Sequence, residues 1–218
     1  MRIVPLVWRR MASACVSSPA FWAGAAGIPL LCALHWGGNP VMAAAGALAF
    51  SVSSSVSLCW AAGRARRAFV AALEPTCGGL APLAAAELSL PVLLGAVLSL
   101  AVMALLSHSR GQTLPWQTWP VAVMSSALAS SIAYLAVRRS VFLAVIALAA
   151  PLLLGFVQDP PGIVRLAAWP SHAFQAASRA SSEGGGMHPD AFVALDTALG
   201  SAGCAFAIAR MHGRRLRG

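Results

Sequence analysis

The sequence predicts an all-α integral membrane protein with six transmembrane helices, an N-terminal interfacial helix and an outer re-entrant helical segment. Three observations carry this. Hydrophobic residues make up 59% of the 218-residue chain and charged residues only 10%, against roughly 25% charged in an ordinary soluble domain. Six apolar windows reach the length of about 17 to 25 residues that a helix needs to cross the hydrocarbon core. The cations flank those windows unequally. A soluble globule would need more polar surface to cover its core, so the bilayer takes the place of that surface.

Taken in order, residues 1–18 place Trp8, Arg9 and Arg10 among apolar neighbours, as in a helix lying in the inner interface. The apolar run after it resembles a signal peptide but meets His35-Trp36-Gly37-Gly38, which offers no small-x-small cleavage site. It is read as a retained first span, about 20–36. Gly37-Gly38-Asn39-Pro40 is a turn composition and separates it from a second span at 41–62. Residues 63–87 follow as a cytoplasmic segment, opening on Gly63-Arg64-Ala65-Arg66-Arg67 and passing Glu74-Pro75. The third span is expected at 88–107.

The fourth and fifth spans, 119–137 and 140–157, are divided by Arg138-Arg139. Two arginines at the bilayer centre are costly, so the dipeptide marks a short loop at an interface. In 158–190, Pro160, Pro161 and Pro170 break a stretch too apolar for a solvated loop. Two short helices dipping into the membrane satisfy both features, provided their freed backbone groups find protein partners or a wet cavity. The sixth span is expected at 191–209, ahead of a basic tail.

All fifteen cations are arginines. With the N-terminus inside, twelve of them (Arg2, Arg9, Arg10, Arg64, Arg66, Arg67, Arg138, Arg139, Arg210, Arg214, Arg215 and Arg217) fall on inner segments, and only Arg110, Arg165 and Arg179 on outer ones. This bias sets both termini in the cytoplasm. The formal charge of +9 therefore follows topology. It is not a phosphate-tracking face, and nucleic acid is excluded as a partner. Trp22, Trp36, Trp60, Trp116, Trp119 and Trp169 all lie near expected span ends, where an indole buries its ring and hydrates its N–H.

Chemistry-bearing candidates are few. Glu87, at the start of the third span, and Asp196, inside the sixth, are the intramembrane acids. Either lies on a substrate path or is satisfied locally, Glu87 by a cytoplasmic arginine. The run Ser51-Val52-Ser53-Ser54-Ser55-Val56-Ser57, with Ser125, Ser126, Ser130 and Ser131, suits close helix packing or a polar conduit lining. Ser53, Ser54 and Ser57 are its candidates for a path. The serines have no histidine or lysine partner of the kind nucleophilic catalysis requires. The sequence contains no GxSxG, HExxH or GxxxxGK[ST] motif. Cys15, Cys32, Cys59, Cys77 and Cys204 form no CxxC pair and no ligand spacing with histidine, and are read as small hydrophobes. No enzyme activity, metal site or cofactor in the chain itself is expected.

The order of elements resembles the membrane subunits of the ABC-2 superfamily, the permeases of ATP-driven exporters. Val7-Trp8-Arg9-Arg10 followed by Ser18-Pro19-Ala20-Phe21-Trp22 is similar to that family's interfacial helix and its junction into span one. Residues 63–88 are similar to its coupling segment, although Arg64, Arg66 and Arg67 stand where the family carries an acidic-then-Gly-Thr signature. Residues 160–180 and Arg210 to Arg217 are similar to its outer re-entrant helices and basic tail. The resemblance implies a bacterial inner-membrane permease half that pairs with a second half, identical or different. It implies two copies of an ABC ATPase as partners, with ATP and Mg bound by that ATPase. Arg64, Arg66, Arg67 and Glu74 would meet the ATPase, and the substrate would be hydrophobic or amphipathic. A haem-export-type permease of cytochrome c maturation and a non-transporting membrane scaffold or immunity protein are the alternatives.

Overall fold

The computed structural model describes residues 3–27, 40–73, 80–109, 116, 118–137, 139–154 and 191–212, and every regular element among them is helical. In chain order they are α1 (Ile3–Val16), α2 (Pro19–Trp22), which runs into a π-helical turn at Ala23–Gly27, α3 (Pro40–Ala62), α4 (Arg64–Leu73), α5 (Leu80–Ser109), α6 (Thr118–Ala136), α7 (Val141–Leu154) and α8 (Ala191–His212).

Three of these helices are long and apolar enough to cross a membrane, over Ala45–Ala62, Ala81–Leu105 and Thr118–Ala136. They mark a multi-pass membrane protein. Two shorter apolar helical stretches, Val141–Ala150 and Ala198–Arg210, fall in α7 and α8. The described residues thus show three spans, not six. Most of the expected first span and all of 158–190 lie outside the described residues.

The bundle is built around α6, which packs against α3, α5, α7 and α8. Its small residues make this possible: Ala122, Ser125, Ser126, Ala129, Ser130 and Ala133 are all buried, and short side chains let neighbouring backbones come close. The outer faces of α5 and α7 instead present Leu93, Val97, Leu98, Leu105, Phe142, Leu143, Val145 and Ile146 to the surroundings. Contiguous apolar faces of this kind suit hydrocarbon contact and would be a liability in water.

Two boundaries differ from the sequence reading. The helix that carries the third expected span starts at Leu80, so the last residues of the expected 63–87 segment are helical. The Glu87 carboxylate is paired within the protein, and the helix runs through it. Pro82 sits in the first turn, where its missing N–H costs no helical bond. At about 1.5 Å per residue the 30-residue α5 spans about 45 Å, longer than a hydrocarbon core of about 30 Å. Its N-terminal end, with Glu87, therefore lies towards one membrane surface. The second change concerns 63–87 itself, which holds a helix of its own, α4, set off from α3 by the turn at Gly63.

The N-terminal helix α1 is docked on the bundle. Val7, Met11 and Cys15, spaced four apart along one face, are buried against α3 and α5, whereas Arg9 and Arg10 are exposed. Trp8 Nε1 donates a hydrogen bond to Ser89 Oγ at 2.9 Å. The junction after α1 is folded tightly. Pro19 occupies the first turn of α2, and Trp22 Nε1 donates to the Val16 carbonyl at 3.1 Å, satisfying one of the orphan carbonyls at the end of α1.

Candidate functional site

The most concentrated polar chemistry among the described residues lies where α3, α4, α5 and α6 meet. Glu87, on α5, is 1% exposed, and Arg66, on α4, is 17% exposed. Arg66 Nη2 donates to Glu87 Oε2 at 2.8 Å and Arg66 Nε donates to Oε1 at 2.9 Å, a bidentate fork. Trp60 Nε1, from the end of α3, donates to the same Oε1 at 2.6 Å. Tyr134, from α6, accepts a hydrogen bond from Arg66 Nε at 3.2 Å, and its ring lies 5.1 Å from the guanidinium carbon. The Trp60 ring meets Phe69 of α4 edge-on at 5.7 Å between centroids. Four helices therefore converge on one carboxylate.

The sequence places the cation. Gly63 ends α3, and in the next turn Arg66 shares a face with Phe69, Val70 and Leu73, the residues of α4 that pack on the core. Arg67, Ala68, Ala71 and Ala72 lie on the opposite, exposed face. Burial opposes the Arg66 charge, but the facing Tyr134 oxygen and the Glu87 carboxylate outweigh it and hold the guanidinium above its ordinary range.

The four residues expected to meet an ATPase are thus not equivalent. Arg66 is turned inward and engaged, and Arg67 is exposed. The Arg64 side chain and Glu74 lie outside the described residues. Of the path candidates, Ser53 Oγ donates to the Pro91 carbonyl of α5 at 2.9 Å, and Ser54 Oγ donates back to the Ser51 carbonyl at 3.1 Å. Ser57 Oγ is buried with no hydrogen-bond partner among the described residues. Glu87 is spent on Arg66 and Trp60. Asp196 sits on α8, with its side chain outside the described residues. These serines are buried in helix–helix seams.

Sequence reading missed two members of the cluster. Trp60 was assigned to the aromatic belt with a hydrated N–H. It is instead 2% exposed, with its N–H given to Glu87. Trp22, Trp116 and Trp119 are more than half exposed, as belt residues would be. Tyr134 carried one faint signal, that it is the only tyrosine in the chain.

A cavity of about 320 Å³ opens between α5, α6 and α8, lined by Leu88, Val92, Met124, Ala127, Gly200 and Cys204 among others. Its lining includes none of the expected path residues. No three potential metal ligands come together among the described residues. No protein-family model matches the chain, and neither does a curated protein or a solved structure.

Proposed function

We propose that this chain is the membrane-spanning permease subunit of an ATP-driven exporter, with six spans, both termini cytoplasmic, and an ABC ATPase bound at α4. The observation that supports it most is the construction of α4. A short amphipathic helix leaves the end of a membrane span and exposes a flat face of Arg67, Ala68, Ala71 and Ala72. Its other face is tied by Arg66 to Glu87 of α5 and Tyr134 of α6. A force applied to the exposed face passes through a bidentate ion pair into two membrane helices, which suits rigid-body rocking of one permease half against another. The apolar cavity beside α5 agrees with a hydrophobic or amphipathic substrate.

The test is a photoreactive residue at position 71, with the chain co-expressed beside a Walker-A ATPase encoded in an adjoining reading frame. The expected result is a crosslink to that ATPase and a loss of ATP turnover with Arg67→Glu. Arg67 is the informative arginine because it is exposed, whereas Arg66 is engaged with Glu87 inside the protein. A chain that purifies without an ATPase and is indifferent to Arg67→Glu overturns the reading in favour of a scaffold. Transport that depends on haem favours the cytochrome c maturation alternative. Cysteine-accessibility labelling, with position 184 reactive from outside and position 213 protected, checks the orientation.

A further inference from the structure

We infer that Cys15 and Cys59 form a redox-responsive dithiol that closes to a disulfide and staples the N-terminal helix to α3. The two residues stand 44 positions apart in sequence, and no spacing rule pairs them. The fold does: α1 lies along α3, and contacts one turn apart bring the pair together, Cys15 Sγ to the Val56 carbonyl and Cys59 Sγ to the Ser18 hydroxyl. Cys15 is 3% exposed, and its Sγ lies 3.9 Å from the Val56 carbonyl, one turn before Cys59 on the same helix. Cys59 Sγ is hydrogen-bonded with the Ser18 hydroxyl at 3.5 Å and remains partly exposed. The third thiol among the described residues, Cys204, is occupied elsewhere, 3.8 Å from the Ala127 carbonyl and 3.6 Å from Ser131 Oγ.

The arrangement assigns different roles to the two sulfurs. Cys59 is the more exposed of the two and the one that reagent reaches, and as a thiolate it has a donor at hand in the Ser18 hydroxyl. Cys15 is enclosed. The neighbouring Cys59 sulfur comes first and burial second in pushing the Cys15 thiol far above the ordinary range, so it stays protonated until its partner is oxidised. The oxidant is a hydroperoxide. Cys59 sulfur attacks the outer peroxide oxygen, giving a sulfenic acid at Cys59 and releasing the alcohol, or water from hydrogen peroxide. Cys15 sulfur then attacks Cys59 sulfur, the S–S bond forms, and the sulfenic hydroxyl leaves as water with the Cys15 proton. Two thiols lose two hydrogens in all, and one peroxide bond is reduced. Sulfurs bonded at about 2.05 Å need Cβ atoms about 3.5–4.5 Å apart, and forming the bond draws the two side chains to that separation. Arginine bias puts this end of the bundle on the cytoplasmic side, where such a pair rests reduced and closes under oxidative stress.

The test treats the full-length protein in nanodiscs with hydrogen peroxide and maps its cysteines by peptide mass spectrometry without reduction. The expected product is a single intrachain link between residues 15 and 59, two hydrogens lighter than the dithiol. It should come with a higher Tm and slower amide exchange across α1, all reversed by dithiothreitol. Cys204→Ser should leave the link intact, whereas Cys15→Ser and Cys59→Ser should each abolish it. The assignment rests on the wild-type map, so it does not depend on whether the variants fold. Sulfinic acid at Cys59 with Cys15 still free, a link to Cys32 or Cys77, or five unmodified thiols would each overturn the proposal.

Discussion

Two seams hold α5 in this bundle, and they work by opposite means. At its N-terminal end, Glu87 is gripped by Arg66 and Trp60, and Tyr134 accepts a further bond from Arg66, in one connected polar cluster. Two turns further on, Gly95 brings α5 so close to α3 and α6 that an added Cβ would meet the Ala49 carbonyl at 2.6 Å and Ser126 Oγ at 2.7 Å, with Ser53 Oγ nearer still. The first seam is specific in direction, because a fork of donors must meet two carboxylate oxygens. The second is specific in distance, because only hydrogen fits. Apolar burial cannot distinguish one helix pairing from another when lipid is as apolar as leucine, so the bundle selects its neighbours by geometry and charge.

The largest effect is expected from breaking the charged seam on one side. Glu87→Ala strips Arg66 of its partner while Arg66 stays mostly buried, and losses of this kind are about 3–5 kcal/mol. Arg66→Ala should cost a similar amount by leaving the carboxylate uncompensated. Arg66→Met combined with Glu87→Leu removes both charges and should recover most of the loss, since apolar groups of similar volume replace such pairs well. Thermal unfolding of the four proteins in one detergent checks this. If the double variant is no better than the singles, the seam is held by the Trp60 and Tyr134 contacts and not by the ion pair.

An intermediate effect is expected at the close-packed seam. Gly95→Leu forces α3 and α6 away from α5, and overpacking of this order costs about 1–3 kcal/mol. Gly200→Leu is the matched test at α8, where an added Cβ would meet the Met124 carbonyl at 2.6 Å. Helix content by circular dichroism should be unchanged in both, because the helices persist while their separation grows. Melting temperatures within error of the wild type would show that the seams can spread freely, removing the distinction between distance-specified and charge-specified packing.

The sequence made one of these seams much easier to read than the other. Long apolar windows are local, so α3 and α6 lie within a residue or two of the expected 41–62 and 119–137. The serine pattern in α3 and α6 suits close packing or a polar lining, and does not say which helices meet. The charged seam depends on residues 60, 66, 87 and 134, drawn from four helices, and only the fold brings them together. From sequence, Glu87 stands open between a place on a substrate path and pairing with a cytoplasmic arginine, and in the structure an arginine pairs with it. Which arginine does so depends on the face that α4 turns inward, and ten residues containing three arginines are too short for periodicity to decide that from sequence. The approach of Cys15 and Cys59 depends in the same way on how α1 lies along α3.

The smallest effects are expected among the serines, and they decide between packing and conduit. Ser53 and Ser57 are one turn apart on α3 and both fully buried, but only Ser53 bridges to another helix. Ser53→Ala removes a hydrogen bond to the Pro91 carbonyl, and interhelical bonds of this type in membranes average about 0.6 kcal/mol. Ser57→Ala removes a buried hydroxyl with no partner among the described residues, and replacing an unsatisfied polar atom with hydrogen should be neutral or slightly stabilising. The predicted order of stability is therefore Ser57→Ala at or above wild type, and Ser53→Ala below it. If these serines serve packing alone, substrate movement per folded molecule is unchanged in both variants. A Ser57→Ala protein that melts like the wild type yet moves substrate more slowly would place Ser57 on a path. In that case the two seams would differ in function as well as in the means by which they hold the helices together.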